Sequence, residues 1–426
     1  MSNLVEKYLL DKGFIFPSSP IYGGMESSWD YSHIGTLLKN NLKQSWINYF
    51  VNKQENTVLY EGNILTNKEI WKASGHVQNF EKQLVECKDC NSREETEGPI
   101  ESCPRCGSTN LTEPKSFQLI FQSDKYYLRP ETAQTIFVNT KLIALSSGLN
   151  IPFSVAQIGK AFRNEVSPGK TIFRTKEFEQ MELEEFTYPE QADKTLKKQR
   201  LQIATYLIQE LGFSNESFVF EEVTGADLPH YSLKNCDVQY KFEFGTQELW
   251  GIANRGDFDL KSHQEHSGEK LHFQNQDNSQ TFLPHIVEHS VGLNRLMLAL
   301  ITEHLTEKPG RDWPVLALPP LLSPFKFSVL PLTKQQVETS RKLYQWLQSY
   351  SLPISFLTKG SIGKRYRSQD EIGTPYCLTV DFESKEWGNP SFSFTLRDRD
   401  SGLQERKNLS ELKGYIFECL GVPREI

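Results

Sequence analysis

The sequence predicts a mixed α/β (α+β) protein of more than one domain, and three observations carry that expectation. The stretch Phe162–Phe186 reads as two antiparallel strands joined by a turn. A cluster of prolines, Pro309, Pro314, Pro319, Pro320 and Pro324, has the composition of a linker. Beyond it, strand-like and helix-like segments alternate, the pattern of a small α/β domain with a largely parallel sheet. A length of 426 residues agrees, because single hydrophobic cores stop growing at smaller sizes.

Composition excludes several function classes. The net charge is −7, so a nucleic-acid partner has to be met by a local basic patch and not by the field of the whole molecule. No apolar run reaches membrane-spanning length and Met1 opens no signal-peptide pattern, so no membrane partner is expected. Seven cysteines without an export signal point to the cytoplasm and reduced thiols. No internal repeat supports a solenoid.

Taken in order, residues 3–12 have the spacing of a short amphipathic helix, and Phe14–Pro17 reads as extended chain stopped by proline. Gly23-Gly24 marks a tight loop. A helix follows from about Thr36, with Leu37, Leu38, Leu42, Trp46, Ile47 and Phe50 on one stripe that suits a core or a subunit interface. Cys87-x-x-Cys90 and Cys103-Pro-x-Cys106 then form two knuckles. Thiolates at this spacing close around one tetrahedral zinc, and a site with four protein ligands is structural, not catalytic. Tyr126–Leu128 reads as a strand, and a helix from Thr132 puts Ile136, Phe137, Leu142 and Leu145 on its apolar side. Glu131 stands at that helix start, where dipole compensation alone would suit it.

The central stretch comes next. Ala156–Glu165 is apolar with a charged end, Ser167-Pro168-Gly169 is a turn signal, and a second strand returns from Ile172. With period two, one face of the return strand carries Arg174, Lys176, Phe178, Gln180, Glu182 and Glu184, and Arg163 and Glu165 share a face opposite. That is a poor core and a good site for a flat, charged ligand. A solvated hairpin, or a helix from Glu177, accounts for the same residues. Gln191–Leu211 reads as a long helix with Leu196, Ile203, Leu207, Ile208 and Leu211 inward, ended by Gly212, and residues 236–253 read as sheet whose glycines admit a ligand to the backbone. Residues 283–305 run from strand into helix, with Leu293, Leu296, Met297, Leu300 and Ile301 at helical spacing, Gly292 at the start, and Arg295 in the first turn on the other side. A helix start beside an arginine suits an anion. In the C-terminal part, Lys359–Arg367 with Gln369 and Asp370 is either a phosphate- and base-reading segment or a solvated loop.

The segments IYGG…WDY, RPETAQ, FRNE…FR…FEQ, ELWGIANR, E-x-S-x-G-x-x-R and GSIGKRYR…QDEIGTP together resemble, in order and over nearly the whole chain, the homodimeric glycyl-tRNA synthetase family of class II aminoacyl-tRNA synthetases. The resemblance implies a class II antiparallel-sheet catalytic domain over 1–310 with a zinc-knuckle insertion at 85–112, a proline-rich linker at 311–324 and a C-terminal α/β anticodon-binding domain over 325–426. It implies ATP with Mg²⁺, glycine and tRNA(Gly) as substrates, structural Zn²⁺ on Cys87, Cys90, Cys103 and Cys106, and a homodimer. A synthetase-like RNA-binding or regulatory paralogue without charging activity is the alternative. It would be expected to lose the ATP-site residues that this chain keeps.

Carried over by residue, the resemblance assigns Arg163, Glu165 and Arg295 to catalysis. The nucleotide site would add Asn164, Phe173, Arg174, Thr175, Lys176, Phe178, Glu248, Leu249, Gly292, Leu293 and Asn294. The glycine site would take Arg93, Glu131, the run Phe178, Glu179, Gln180, Met181 and Glu182, and the run Glu288, His289, Ser290, Val291 and Gly292. Lys364, Arg365, Arg367 and Asp370 would meet tRNA. Ser32-His33 stands where the family's first motif has Gly-Pro, and His289 where its third motif has proline, departures that bear on the dimer.

Overall fold

The chain begins with a helix over Leu4–Asp11 and a short strand pair, Ile15–Pro17 with Trp29–Tyr31, before its first long helix α1 (His33–Ile47). The computed structural model describes residues 4–421 apart from 97, 99, 166–170, 226–227, 230 and 275–279. The turn expected at Ser167-Pro168-Gly169 therefore lies outside the described residues. Helix α1 starts three residues before the expected Thr36, because Ser32 caps it by accepting from the Ile34 and Gly35 amides. Gly35 is required there: a Cβ would stand 2.1 Å from the Phe14 carbonyl oxygen.

The N-terminal part is built on a seven-stranded sheet. Its strands in chain order are β1 (Thr57–Leu59), β2 (Phe153–Phe162), β3 (Glu177–Thr187), β4 (Phe218–Val223), β5 (Lys234–Phe242), β6 (Gly245–Gly256) and β7 (His285–Gly292). In space they run β4-β5-β6-β7-β3-β2-β1, antiparallel throughout except for the β1–β2 edge pair. Period-two alternation gives the sheet two characters. One face carries Met181, Leu183, Val238, Trp250, Ile252, Val287 and Val291 into the main core, where Leu38, Leu42 and Trp46 of α1, Leu196 and Ile203 of α2 (Ala192–Thr205) and the leucine stripe of α3 (Leu293–His304) meet them. Half of the opposite face is closed by two helices, Ala133–Phe137 and Phe258–Ser267, over Phe153, Val155, Phe186 and Ile286. The other half stays open.

Several local expectations change. The return strand begins at Glu177, not Ile172, because Thr171–Phe173 forms a helical turn and Arg174–Lys176 leads into the strand. The helix expected from Thr132 is two helices, Ala133–Phe137 and Thr140–Ser147. Asn139 breaks it, donating its side chain to Tyr60 and Thr135, and the second helix turns Leu142 and Leu145 out to solvent. Ile208 is likewise partly exposed. The proline segment is not a loose tether. Val315-Leu316 pairs with Leu305-Thr306, Leu316, Leu318 and Leu322 join the main core, and Asn41 of α1 donates to the Leu322 and Ser323 carbonyls.

The C-terminal sheet has five strands, β8 (Phe327–Pro331), β9 (Ile354–Phe356), β10 (Tyr376–Val380), β11 (Ser393–Asp398) and β12 (Gln404–Asn408), in the order β9-β8-β10-β11-β12. The first two pairings are parallel and the last two antiparallel, so the sheet is mixed where a largely parallel one was expected. The unforeseen β12, QERKN, has no apolar alternation to signal it.

Candidate active site and metal centre

A cavity of about 330 Å³ opens on the uncovered half of the seven-stranded sheet. Its floor is set by register. Gln180 of β3 lies opposite Gly292 and Gly159, and Glu182 lies opposite Ser290 and Gln157; on the neighbouring strand Gly251 pairs with Ser290. A Cβ on Gly251 or Gly292 would meet no atom closer than 3.8 Å, so these glycines leave a bare floor where a ligand can reach the backbone. At Leu249 the β5–β6 pairing skips a residue: Val238 faces Trp250 and Gln239 faces Glu248. This bulge lets Trp250 point into the core while Glu248 turns to the cavity.

One end of the cavity is cationic and aromatic. Arg163 follows the end of β2, tethered by its own amide to the Lys176 carbonyl and by Nε to the Pro130 carbonyl at 3.0 Å. Its guanidinium lies 5.4 Å from the ring centres of both Phe80 and Phe178. Arg295, in the first turn of α3, covers the Phe173 ring at 4.3 Å and bonds the Glu248 carbonyl and carboxylate at 3.1 and 3.3 Å. Glu165, Arg174, Thr175, Leu249 and Asn294 complete this end. Asp237 faces in from β5, and burial with the nearby Glu248 charge raises its carboxyl to about 6.

The other end is acidic and buried. Glu131 binds His76 at 2.9 Å; burial pushes its carboxyl up, but the His76, Arg255 and Arg163 charges outweigh burial and hold it well below the usual range. Glu182 accepts from the Thr132 amide at 3.1 Å, the Thr132 hydroxyl, Gln180 at 3.0 Å and Ser290 at 2.8 Å. Burial and the Glu131 charge nevertheless raise it. Glu288 pairs with the buried Arg255 at 2.8 Å, and burial, only partly offset by that guanidinium, lifts its carboxyl to about 7. Arg255 is itself clamped by Asp259 at 2.7 and 2.9 Å and stands 3.8 Å over the Tyr231 ring.

The structure thus brings together Glu131, Arg163, Glu165, Phe173, Arg174, Thr175, Phe178, Gln180, Glu182, Glu248, Leu249, Glu288, Ser290, Gly292, Asn294 and Arg295. It does not bring in the rest of the expected set. Glu179, Met181, His289 and Val291 occupy alternate positions on β3 and β7 and point to the opposite face; Leu293 is in the core. Glu179 there pairs with Lys39 and Lys43, and His289 accepts from the Trp250 indole at 3.2 Å. Asn164 and Lys176 contribute backbone bonds and, among the described residues, do not wall the cavity. Arg93 is exposed on the small sheet and pairs with Glu86. Conversely, Asp237, Tyr231, Arg255 and His76 were missed in the sequence. The alternation Asp237–Gly251–Ser290 across adjacent strands was the available signal for the first.

In the C-terminal part, Lys364 and Arg367 are exposed on the helix Ile362–Asp370. Arg365 and Asp370 are not available to a partner. Arg365 donates inward to the Pro331 and Leu357 carbonyls at 2.8 and 3.0 Å, and Asp370 is fully buried against Arg397, Arg311 and Trp313. A helix turns residues 364–370 to different sides, which a linear reading of the basic run overlooks.

Cys87, Cys90, Cys103 and Cys106 converge beside a three-stranded sheet of Glu81–Glu86, Arg93–Thr96 and Lys115–Gln118. Each knuckle turns through a left-handed residue four after its first cysteine, Asn91 and Gly107, whose amides donate to the Cys87 and Cys103 carbonyls at 2.8 Å. The four sulfurs lie within 4.8 Å of one another, with closest pairs at 3.6 and 3.7 Å. Four thiolates at about 2.3 Å from one tetrahedral ion stand about 3.8 Å apart, so this donor set fits zinc.

Comparison with known proteins agrees with this layout. Residues 117–304 match the family model described as tRNA synthetase class II core domain (G, H, P, S and T), and residues 326–418 match the anticodon binding domain. The chain is 40% identical to the glycine--tRNA ligase of Geobacillus thermodenitrificans over 446 residues, covering 95% of this chain and 94% of the relative. It is also 40% identical to that of Mesoplasma florum, covering 96% and 98%, and to that of Clostridium beijerinckii, covering 96% of each. With its class II core, its anticodon-binding domain and this near end-to-end identity, the chain belongs to the glycine--tRNA ligase family of class II aminoacyl-tRNA synthetases.

Proposed function

We propose that this protein is an ATP-dependent ligase that activates glycine as glycyl-adenylate and passes it to the 3′-terminal ribose of tRNA(Gly). The observation that carries this reading is a single sheet face with cations and aromatic rings at one end and buried carboxylates at the other. Adenine lies on Phe178 and is read by Glu165, while Arg295 closes the far side. Glycine's ammonium sits among Glu131, Glu182 and Glu288, with Ser290 as a neutral partner. Its carboxylate oxygen attacks the α-phosphorus in line, the bond to pyrophosphate breaks, and Arg163 neutralises the charge that builds on the α-phosphate. The terminal ribose hydroxyl of tRNA then attacks the glycyl carbonyl, and AMP leaves.

ATP would be bound as its Mg²⁺ complex, and Glu248 and Asp237, the acids at that end besides the base-reading Glu165, would face the cation. Larger amino acids are rejected by overlap, so no second hydrolytic site is needed. Zinc on the four cysteines would fold the knuckles and take no part in the chemistry. Lys364 and Arg367 supply the exposed cations of the anticodon-binding unit, which we place at 325–426 after the segment 311–324 and the catalytic core 1–310. A homodimer fits the exposed Ile21 and Tyr22 of the turn Pro20–Tyr22, and the cytoplasm fits an enzyme of this class. ATP–pyrophosphate exchange and charging of a tRNA(Gly) transcript test the assignment. Glycine should support both, and exchange no faster with glycine than with alanine or serine would end it.

A further inference from the structure

Behind the acidic end lies a carboxyl that the chemistry above does not use. Glu184 is fully buried, and among the described residues neither of its oxygens has a hydrogen-bond partner. Buried native carboxyls are seldom left so, and an exception asks for an explanation. Glu184 shares the cavity face of β3 with Glu182, lies directly opposite Glu288 on β7 and has Val155 on its other side. The charged groups that act on it are Glu182 on its own strand, Glu288 on β7, Arg255 on β6 and Asp259 on the covering helix. Glu288 also feels Glu131, and through Arg255 lies near Tyr231. Arg255 is already committed to Asp259 and Glu288, so no cation in this set is left to pair with Glu184.

Two carboxylates directly opposite on adjacent antiparallel strands have Cβ atoms about 5 Å apart, and in a buried site ionising one strongly disfavours ionising the other. We propose that Glu184 and Glu288 form a carboxyl pair that holds one proton, kept on Glu184, so that Glu184 is a positioning residue which leaves Glu288 ionised toward the ammonium of glycine. The division follows from the neighbours: Glu288 is paired with Arg255 and lines the cavity, whereas Glu184, on the same face, is paired with no cation and lies behind the lining. Burial, with the Glu288 and Glu182 charges, raises Glu184 well above the usual carboxylate range, in the same direction. The pair titrates as a unit, and the ammonium draws the negative charge to the cavity side.

This inference rests on the glycine reading of the cavity, and its test separates the two. The pH profile of kcat/KM for glycine in pyrophosphate exchange is measured for the wild type, Glu184→Gln and Glu184→Leu, with KM for ATP as a control. Glu184→Gln keeps a neutral, polar side chain opposite Glu288 and should leave the acid limb in place. Glu184→Leu puts an apolar side chain there, which deepens the desolvation of the Glu288 carboxylate, and should move the limb upward by about one pH unit with KM for ATP within about twofold. A limb that moves downward in Glu184→Gln would mean that Glu184 is ionised, and an unmoved limb in Glu184→Leu would mean that it only fills space. Either overturns the proposal. If the leucine variant does not fold, infrared difference spectra of the wild type against Glu184→Gln decide. At about pH 9, where Glu288 at about 7 is ionised, the wild type must show one protonated-carboxyl carbonyl stretch more than Glu184→Gln, and a difference spectrum without that band overturns the proposal. That readout needs no substrate. A wild type that exchanges no faster with glycine than with alanine, yet shows the band, fails the functional reading and not this one.

Discussion

Strand β3 carries glutamates on both faces, and the two faces treat them in opposite ways. Glu182 and Glu184 point to the cavity side, where carboxyls outnumber cations and burial raises both. Glu179 points to the other side, where Lys39 and Lys43 flank it; burial pushes its carboxyl up, but those cations more than cancel the push. The same residue type, three or five positions apart, is short of cations on one face and half of a structural ion pair on the other. What distinguishes them is whether the fold supplies a cation. An acid left short of cations in a buried site is one whose partner is expected to arrive from outside.

Four outcomes would break or sharpen this contrast, from the largest effect to the smallest. Arg163→Ala removes the fixed cation proposed for the reacting phosphate, and should lower kcat for glycine-dependent exchange about 10²–10³-fold. A synthetase-like scaffold would lose nothing measurable. Glu182→Gln should raise KM for glycine about 10²-fold with KM for ATP within about twofold, since hydrogen bonds to charged groups are worth about 1.5–3 kcal/mol.

The third outcome concerns pH. The Glu288 carboxyl stands at about 7, so lowering the pH protonates it and weakens its hold on an ammonium. With one group of that pKa, kcat/KM for glycine should fall about tenfold between about pH 8 and pH 6. Stability of the empty protein runs the other way. A carboxyl raised in the folded state binds its proton more tightly there than in the unfolded chain, so its contribution is complete below the unfolded carboxylate value and is lost as pH rises through about 7. Chemical denaturation at several pH values checks that sign.

The smallest effect on catalysis belongs to the other face. Glu179→Gln should leave KM for glycine unchanged within about twofold and cost about 1–3 kcal/mol of stability, because Lys39 stays largely buried without its charge partner.

Much of this was legible in the sequence, and the failures have a common cause. The hairpin, the strand-to-helix step at Gly292 and the two knuckles rest on period, capping and ligand spacing, which are local. The reading failed where contiguous residues were taken as one surface. Phe178–Glu182 and Glu288–Gly292 were read whole, yet only alternate members face the cavity. Lys364, Arg365, Arg367 and Asp370 were read together, yet a helix divides them into an exposed pair and a buried pair. Asp237 reaches the site through cross-strand register, and Arg255 is matched to its acids only by tertiary packing. His76 arrives from a separate short helix, His76–Asn79, with nothing in its own segment to mark it. Glu184 was seen on the right face but had no role until its lack of partners was known.

The contrast between the faces is tested most directly by measuring KM for glycine side by side in Glu182→Gln and Glu179→Gln, in exchange assays with saturating ATP. The account predicts a rise of about 10²-fold in the first and no more than about twofold in the second. Equal rises in both, or a rise only in Glu179→Gln, would contradict it.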